Sequence, residues 1–316
     1  YTNSEIDHLN NLQEKFKSNS SKLNSDGSFR DPRTKFGGLM RSIDQPDFET
    51  ANIEYIEFWV QDPYILSNYS NTNGGKLYFH LGNVSEDILK DGKRFYENGL
   101  PTPTIPSPVD TSVWGKIPRN PIQVTNASSN NPDDRAYQDL GYDGLNDADE
   151  ATTQADYISQ LSNNFGNTSA AYQNAIADPS SDDFKNYRDG SFSGSDGILK
   201  RYKNYNSPQG NSPISNGGQY SNAATMYPDA EDLNKDNTLN QTEEYYQYTV
   251  DIKPSNSPTM SIGSNFIFDK KTVDIDLPNG TRRSETWYQF RIPLRDYNKK
   301  VGNISDFKSI YLFIIF

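Results

Sequence analysis

The sequence predicts a mainly β protein: an antiparallel, jelly-roll-like β-sandwich split by a long, irregular, partly helical insertion. Three observations carry this expectation. Only 33% of the 316 residues are hydrophobic, and 21 Tyr, 16 Phe and 3 Trp make aromatics 13% of the chain. Such a supply of large rings suits pleated, half-buried surfaces better than a bundle of Leu and Ala. Runs of strand character cluster towards the two ends, while the stretch between them, about 97–244, is full of Asn, Ser, Gly and Pro, the residues that punctuate turns.

The elements follow in order. Residues 3–24 place Ile6, Leu9, Leu12 and Phe16 three or four apart, the spacing of an amphipathic helix. Ser18–Ser28 reads as a linker, so 1–34 is a helix and linker ahead of a single sandwich domain over 35–316. Ile53–Val60 (IEYIEFWV) is aromatic and β-branched and reads as a strand, stopped by Gln61 and Asp62 before Pro63. Lys76–Leu81 alternates Leu77, Phe79 and Leu81 with Lys76, Tyr78 and His80. It predicts a half-buried strand with His80 exposed and without a catalytic role.

Pro101, Pro103, Pro106 and Pro108 open the insertion and forbid a central strand there. Short helices are expected at Asp133–Asp139, Ala148–Leu161, Ala170–Ala177 and Ile198–Tyr205. Strands resume at Tyr245–Ile252, Phe266–Phe268 and Val273–Leu277. The pair Asn279-Gly280 predicts a hairpin turn leading to Trp287–Leu294, and Ile310–Phe316 is the last strand. Residues 35–96 offer too few strands to bury two faces alone. One sandwich drawing on both ends is therefore expected, with the insertion displayed at an edge. A chain that starts at Tyr1 and stops within an apolar run reads as a piece of a longer polypeptide.

Composition excludes several classes of function. The formal net charge is −12 and no run of Lys and Arg offers a footprint for nucleic acid. There is no cysteine, so disulfides, thiol catalysis and Cys-based zinc sites are excluded. His8 and His80 stand far apart and outside any metal or triad spacing. Asp44, Asp47, Glu54 and Glu57 read as solvated strand-edge charges, and Trp59, Trp114 and Trp287 as core. No apolar stretch approaches the ~18–20 residues of a spanning helix. The chain is therefore expected to be neither an enzyme nor itself membrane-spanning.

The sharpest local signal is the dodecapeptide Asp232–Glu243. Asp232, Asn234, Asp236, Asn240 and Glu243 match positions 1, 3, 5, 9 and 12 of an EF-hand-type calcium loop. Thr238 stands at position 7, where a backbone carbonyl is the ligand. A hard cation takes six to eight oxygens, and a tight loop turns alternate side chains inward to supply them. Asn237 replaces the usual Gly and tolerates the left-handed conformation. A second candidate, Asp139–Glu150, has Asp139, Asp143, Asp147 and Glu150 at positions 1, 5, 9 and 12 and Gly144 at position 6. Gly141 at position 3 brings no side-chain oxygen, so a water or another loop would fill that vertex. These residues predict one or two structural Ca²⁺ ions that order an insertion too polar to order itself.

A set of segments in colinear order over about residues 30–310 then carries a resemblance. They are FGGLMR at 36–41, DFETANIEYIEFW at 47–59, GKLYFHLGNVSED at 75–87, VWGK at 113–116, DLGYDGL at 139–145, ILKRYK at 198–203, DLNKDNTL at 232–239, WYQFRIP at 287–293 and DFKSI at 306–310. Together they resemble the motility/secretion domain of the SprA (Sov) family, the giant outer-membrane translocons of the type IX secretion system, linked to gliding motility. The resemblance implies a soluble, non-catalytic module at the outer membrane or cell surface, on its extracellular or periplasmic side. Its implied partners are the rest of the translocon barrel, proteins on the barrel's rim or periplasmic face, and secreted cargo. Strands Glu54–Val60 and Trp287–Leu294 also suggest, by fold analogy, a carbohydrate-binding or adhesive cell-surface module.

Overall fold

A computed structural model of the chain describes residues 20–35, 37–64, 73–94, 99–112, 114–119, 129, 131–211, 230–234, 236–276 and 280–315. Most of the helix expected over 3–24 lies outside them, as do His8 and Asn279. The strands are β1 (Leu39–Ser42), β2 (Tyr55–Gln61), β3 (Gly75–Asn83), β4 (Val109–Thr111), β5 (Lys116–Pro118), β6 (Glu244–Ile252), β7 (Ile267–Asp276), β8 (Arg282–Pro293), β9 (Lys299–Val301) and β10 (Leu312–Ile315). The helices are α1 (Pro132–Arg135), α2 (Asp147–Thr153), α3 (Ala155–Phe165), α4 (Ala170–Ala177) and α5 (Ile198–Arg201). The chain divides into two compact units, one from 35–86 with 240–316, the other from 87–239 with the residues up to 34.

The first unit is all antiparallel sheet. A five-stranded sheet runs β1-β10-β3-β6-β9 and a three-stranded sheet β2-β8-β7. Their registers are fixed by alternation. Phe79 pairs with Tyr248 and Leu81 with Tyr246 across β3 and β6, while Phe58 pairs with Phe290 across β2 and β8. These inward rows share one core cluster with Ile292, Ile304, Phe307 and Ile310. The Phe58 ring lies 4.7 Å from Phe79 and stacks on Phe290 at 5.2 Å, so residues of both sheets meet there. The buried Tyr248 hydroxyl donates to the Leu294 carbonyl at 2.6 Å, which satisfies the polar tip of a core ring.

Three local expectations are corrected here. His80 is not exposed: it is 4% accessible and its ring stacks on the buried Tyr245 at 4.1 Å. Alternation assigns His80 to the face of β3 opposite the core but does not say whether that face is wet. Trp59 and Trp287 are not core residues, being 39% and 36% exposed. They occupy the outer rows of β2 and β8, and Lys271 Nζ lies 5.2 Å over the Trp59 ring. Residues 267–268 and 273–276 of the two expected strands are not separate but lie in one strand, β7, whose register shifts between Ile267 and Asp269; Leu277 lies outside the described residues. The charged Asp269, Lys270 and Lys271 between them, with Asp274, fit an exposed edge strand, where charge discourages further pairing.

The second unit carries the two-stranded β4-β5 ribbon and all five helices. The single helix expected over Ala148–Leu161 is interrupted at Gln154, whose φ of −101° and ψ of 19° leave the helical region. Helix α4 matches its expected bounds. Its N-cap Ser169 accepts the Tyr172 N–H, so Ser169→Ala is expected to lower stability by about 1 kcal/mol in urea unfolding. The segment read as a linker is ordered over 20–29. Leu23 bridges Phe29, the Ala171 N–H donates to the Ser25 carbonyl, and Leu23 packs on the α3–α4 core of Leu161, Ala171 and Ala175. Its Ser and Asn side chains hydrogen-bond locally (Asn24 to Ser28, Ser28 to Asp26), a use that composition alone does not distinguish from flexibility.

Candidate metal centre

The site is built where α2 begins. Asn146 caps the helix, its side-chain oxygen accepting the Ala148 and Asp149 N–H groups at 3.0 Å each. Before it, a turn with positive φ at Gly141 (73°) and Gly144 (62°) returns Asp143 towards the helix. Asp143 accepts the Leu145 N–H on Oδ1 and the Ser180 hydroxyl on Oδ2, both at 3.0 Å. Glu150, one turn into α2, is fully buried.

The segment after α4 closes over this corner. The Ser180 N–H donates to Glu150 Oε2 at 3.0 Å, the Asp182 N–H to Asp178 Oδ1 at 3.0 Å, and the Gln209 N–H to the Asp182 carbonyl at 3.0 Å. Two groups of carboxylates result, Asp143–Glu150–Asp182 and Asp147–Glu150–Asp178. Each residue offers one oxygen, and the oxygens of a group lie within 4.8 Å of one another. Glu150 belongs to both.

Gly141 explains the approach of Asp182. A Cβ at residue 141 would stand 2.5 Å from Asp182 Oδ2, so the carboxylate packs onto the bare glycine backbone. The loop position that carries no side-chain oxygen is the one against which another loop's carboxylate rests. Gly141→Ala brings both that clash and a strained positive φ. It is expected to cost about 1–3 kcal/mol and to weaken any calcium-dependent stabilisation, read as thermal midpoints with and without the ion.

The electrostatics are one-sided. Among the described residues none of the five carboxylates pairs with a Lys or Arg. Among the described residues Asp147 Oδ1, Glu150 Oε1 and Asp182 Oδ1 are buried with no hydrogen-bond partner. A buried carboxylate oxygen left this way is costly unless a proton or a cation meets it. Burial, then repulsion from Asp143, pushes Glu150 up to about 7. Burial, then repulsion from Glu150 and Asp143, pushes Asp182 up to about 9, and burial raises Asp143 to about 6. Asp147 is raised by burial and by Asp178. The corner thus competes for positive charge. An oxygen-only donor set with no imidazole or thiolate fits a hard cation such as Ca²⁺ and not a zinc-type ion.

The structure places the remaining loop residues elsewhere. Asp139 is outside both groups, its carbonyl accepting the Gly210 N–H at 3.2 Å. In the second loop Asp232 Oδ2 accepts from Arg94 at 3.3 Å and from the Asn237 N–H at 2.9 Å. Asn237 takes the left-handed φ of 69°. Asn234 accepts the Asp236 N–H, Asp236 accepts the N–H and hydroxyl of Thr238, and Asn240 accepts the Thr242 N–H. Glu243 Oε1 accepts the Ser85 N–H at 3.3 Å. The oxygens of Asn234, Asp236 and Asn240 serve turns of their own backbone, whereas Asp232 also meets Arg94 and Glu243 reaches Ser85 of a distant segment. Among the described residues no group of three clustered carboxylates includes a residue of 232–243.

Asp178 and Asp182 were not picked out from sequence. Their one signal is the spacing of four that lets Asp178 cap the Asp182 N–H; a meeting with Asp143 across some 40 positions has no local signature.

Comparison with known proteins bears on what carries this site. No curated protein matches the chain. A family described as motility related/secretion protein (SprA_N) matches residues 156–315, just over half of the 316 residues and spanning Asp178, Asp182 and strands β6 to β10. That family is characterised by secretion and motility and is not a known enzyme family. Among the described residues no helix is long and apolar enough to cross a membrane. By the extent of this match, the chain belongs to the SprA_N family of motility-related and secretion proteins.

Proposed function

We propose that the chain is a non-catalytic, extramembrane module of a type IX protein-secretion translocon in the outer membrane, and that calcium orders its insertion. Family membership supports the secretion role. The calcium part rests on a single observation: Glu150 is fully buried among four other carboxylates, and its Oε1 has no hydrogen-bond partner among the described residues. A divalent ion there would be held by Asp143, Asp147, Glu150, Asp178 and Asp182. It would supply the positive charge that no basic residue among the described ones supplies, and so rivet the start of α2 to the segment after α4. The module's partners are then the barrel, rim or periplasmic proteins, and passing cargo. The sheets, with one core lined from both, fit a sandwich scaffold that displays the insertion.

The test is made in the full-length protein in its native cell. Removing 87–239 in frame is expected to stop cargo secretion and gliding, and Glu150→Gln to weaken both. Secretion and motility unaffected by the deletion would rule the reading out.

The exposure of Trp59 and Trp287 favours a second reading, a carbohydrate-binding or adhesive face on the outer side of the three-stranded sheet. Aromatic faces stack on pyranose rings, but Lys271 already covers Trp59. Glycan-array binding that disappears in Trp59→Ala would favour this reading; an array without hits would end it.

A further inference from the structure

We propose that Asp87, Asp91 and Glu231 form a separate divalent-cation site at the neck of the insertion, tying its first residues to its last. One carboxylate oxygen from each lies within 4.8 Å of the other two. The chain passes out of the sheet unit after Glu86 and returns to it at Asn240. Asp87 and Asp91 follow the departure and Glu231 precedes the return. The inference does not depend on the Glu150 centre, with which it shares no residue.

Each carboxylate is held in place by backbone N–H groups. Asp87 accepts from Asp91 at 3.1 Å and from Gly92 at 3.2 Å. Asp91 Oδ1 accepts from Lys93 at 2.8 Å, and Glu231 Oε1 accepts from Leu89 at 2.9 Å across 142 residues. These bonds leave Asp91 Oδ2 and Glu231 Oε2 buried with no hydrogen-bond partner among the described residues. Glu231 and Asp87 are only 6% and 7% exposed. Two nearby basic side chains are directed elsewhere: Lys93 Nζ to Asp110 at 3.2 Å, Arg94 to Asp232 and Asn237.

Three acceptors meet, and among the described residues no donor meets the spare oxygens of Asp91 and Glu231, a set that asks for a cation. All are hard oxygens, which suits Ca²⁺ or Mg²⁺. An ion here would close the long excursion at its root, where loop closure is most costly to leave to weak contacts.

Trp114 supplies a reporter, since its indole N–H donates to the Leu89 carbonyl at 3.3 Å, on the residue whose N–H holds Glu231. The chelator-treated chain is titrated with Ca²⁺ to count bound ions and with Tb³⁺ to read tryptophan-sensitised emission. Glu231→Gln is expected to lose one bound Ca²⁺ and the sensitised emission, while Glu150→Gln keeps the emission. Trp114→Phe leaves every carboxylate in place and is expected to lose the emission as well, so the test survives if Glu231→Gln fails to fold. An unchanged ion count in folded Glu231→Gln, or full emission in Trp114→Phe, overturns the proposal. Loss of an ion in Glu150→Gln alone leaves the Glu150 centre standing without the neck site. Loss in Glu231→Gln alone does the reverse.

Discussion

In the presence of a chelator, raising the pH from about 5 to about 8 is expected to destabilise the chain, and saturating calcium is expected to abolish that loss. Glu150 titrates near 4.5 when unfolded but is held up to about 7 in the fold. Between those values the unfolded chain has released its proton while the folded chain keeps it. Unfolding then liberates a proton and becomes easier as pH rises. One pKa unit corresponds to about 1.4 kcal/mol, so Glu150 alone contributes a loss on the order of 3 kcal/mol across the window. Asp143 and Asp182, raised to about 6 and about 9, act in the same direction, with all three coupled. A bound ion replaces the protons and keeps the carboxylates ionised in the folded state. At a hundredfold excess over its dissociation constant it adds about 2.7 kcal/mol. Urea unfolding at the two pH values, each with EGTA and with Ca²⁺, measures both effects. Glu150→Gln is expected to flatten the pH slope and blunt the calcium response together. A chelated protein that grows more stable towards pH 8 would show these carboxylates already ionised and satisfied.

The second large effect belongs to the sheet unit. Phe290 is fully buried, sits opposite Phe58 in the β2–β8 register and stacks on it at 5.2 Å. Through Phe58 it reaches Phe79 of the other sheet. Phe290→Ala removes a ring from the place where the two inward rows meet. It is expected to cost about 3–5 kcal/mol through lost burial and a cavity that packed neighbours fill only in part. The expected readout is an early urea midpoint by tryptophan fluorescence, because Trp59 and Trp287 lie on the same sheet. A change below about 1 kcal/mol, close to that of a surface substitution, would mean that the sheets do not depend on this ring.

The strands were legible because their residues repeat with period two. Leu77, Phe79 and Leu81 read inward from sequence and lie inward in the fold, and Tyr245–Ile252 falls within one residue of β6. Periodicity names a face without naming what lies against it, which is why buried His80 and exposed Trp59 were both misread. The polar middle of β7 hid a continuous strand, because an edge strand gains from charge what a central strand gains from apolar side chains. Of the acidic loops, the sequence displayed Asp143, Asp147 and Glu150 by their spacing. Asp178 and Asp182 arrive from another segment, and their spacing of four, which lets Asp178 accept the Asp182 N–H, says nothing of a meeting with Asp143. In 232–243 the same residue types occur at loop spacing, yet Asn234, Asp236 and Asn240 turn onto nearby N–H groups. Asp and Asn serve turns and cations with the same oxygens, and spacing alone does not separate the two uses.

Calorimetric titration of the chelator-treated chain with CaCl₂ tests the central claim most directly. Saturable binding is expected, of affinity no weaker than the roughly 10⁻⁴–10⁻³ M of extracellular calcium modules, with the component assigned to the Glu150 centre missing in Glu150→Gln. A folded chain that takes up no calcium at several times that concentration, or a Glu150→Gln variant that binds as the parent does, would contradict it.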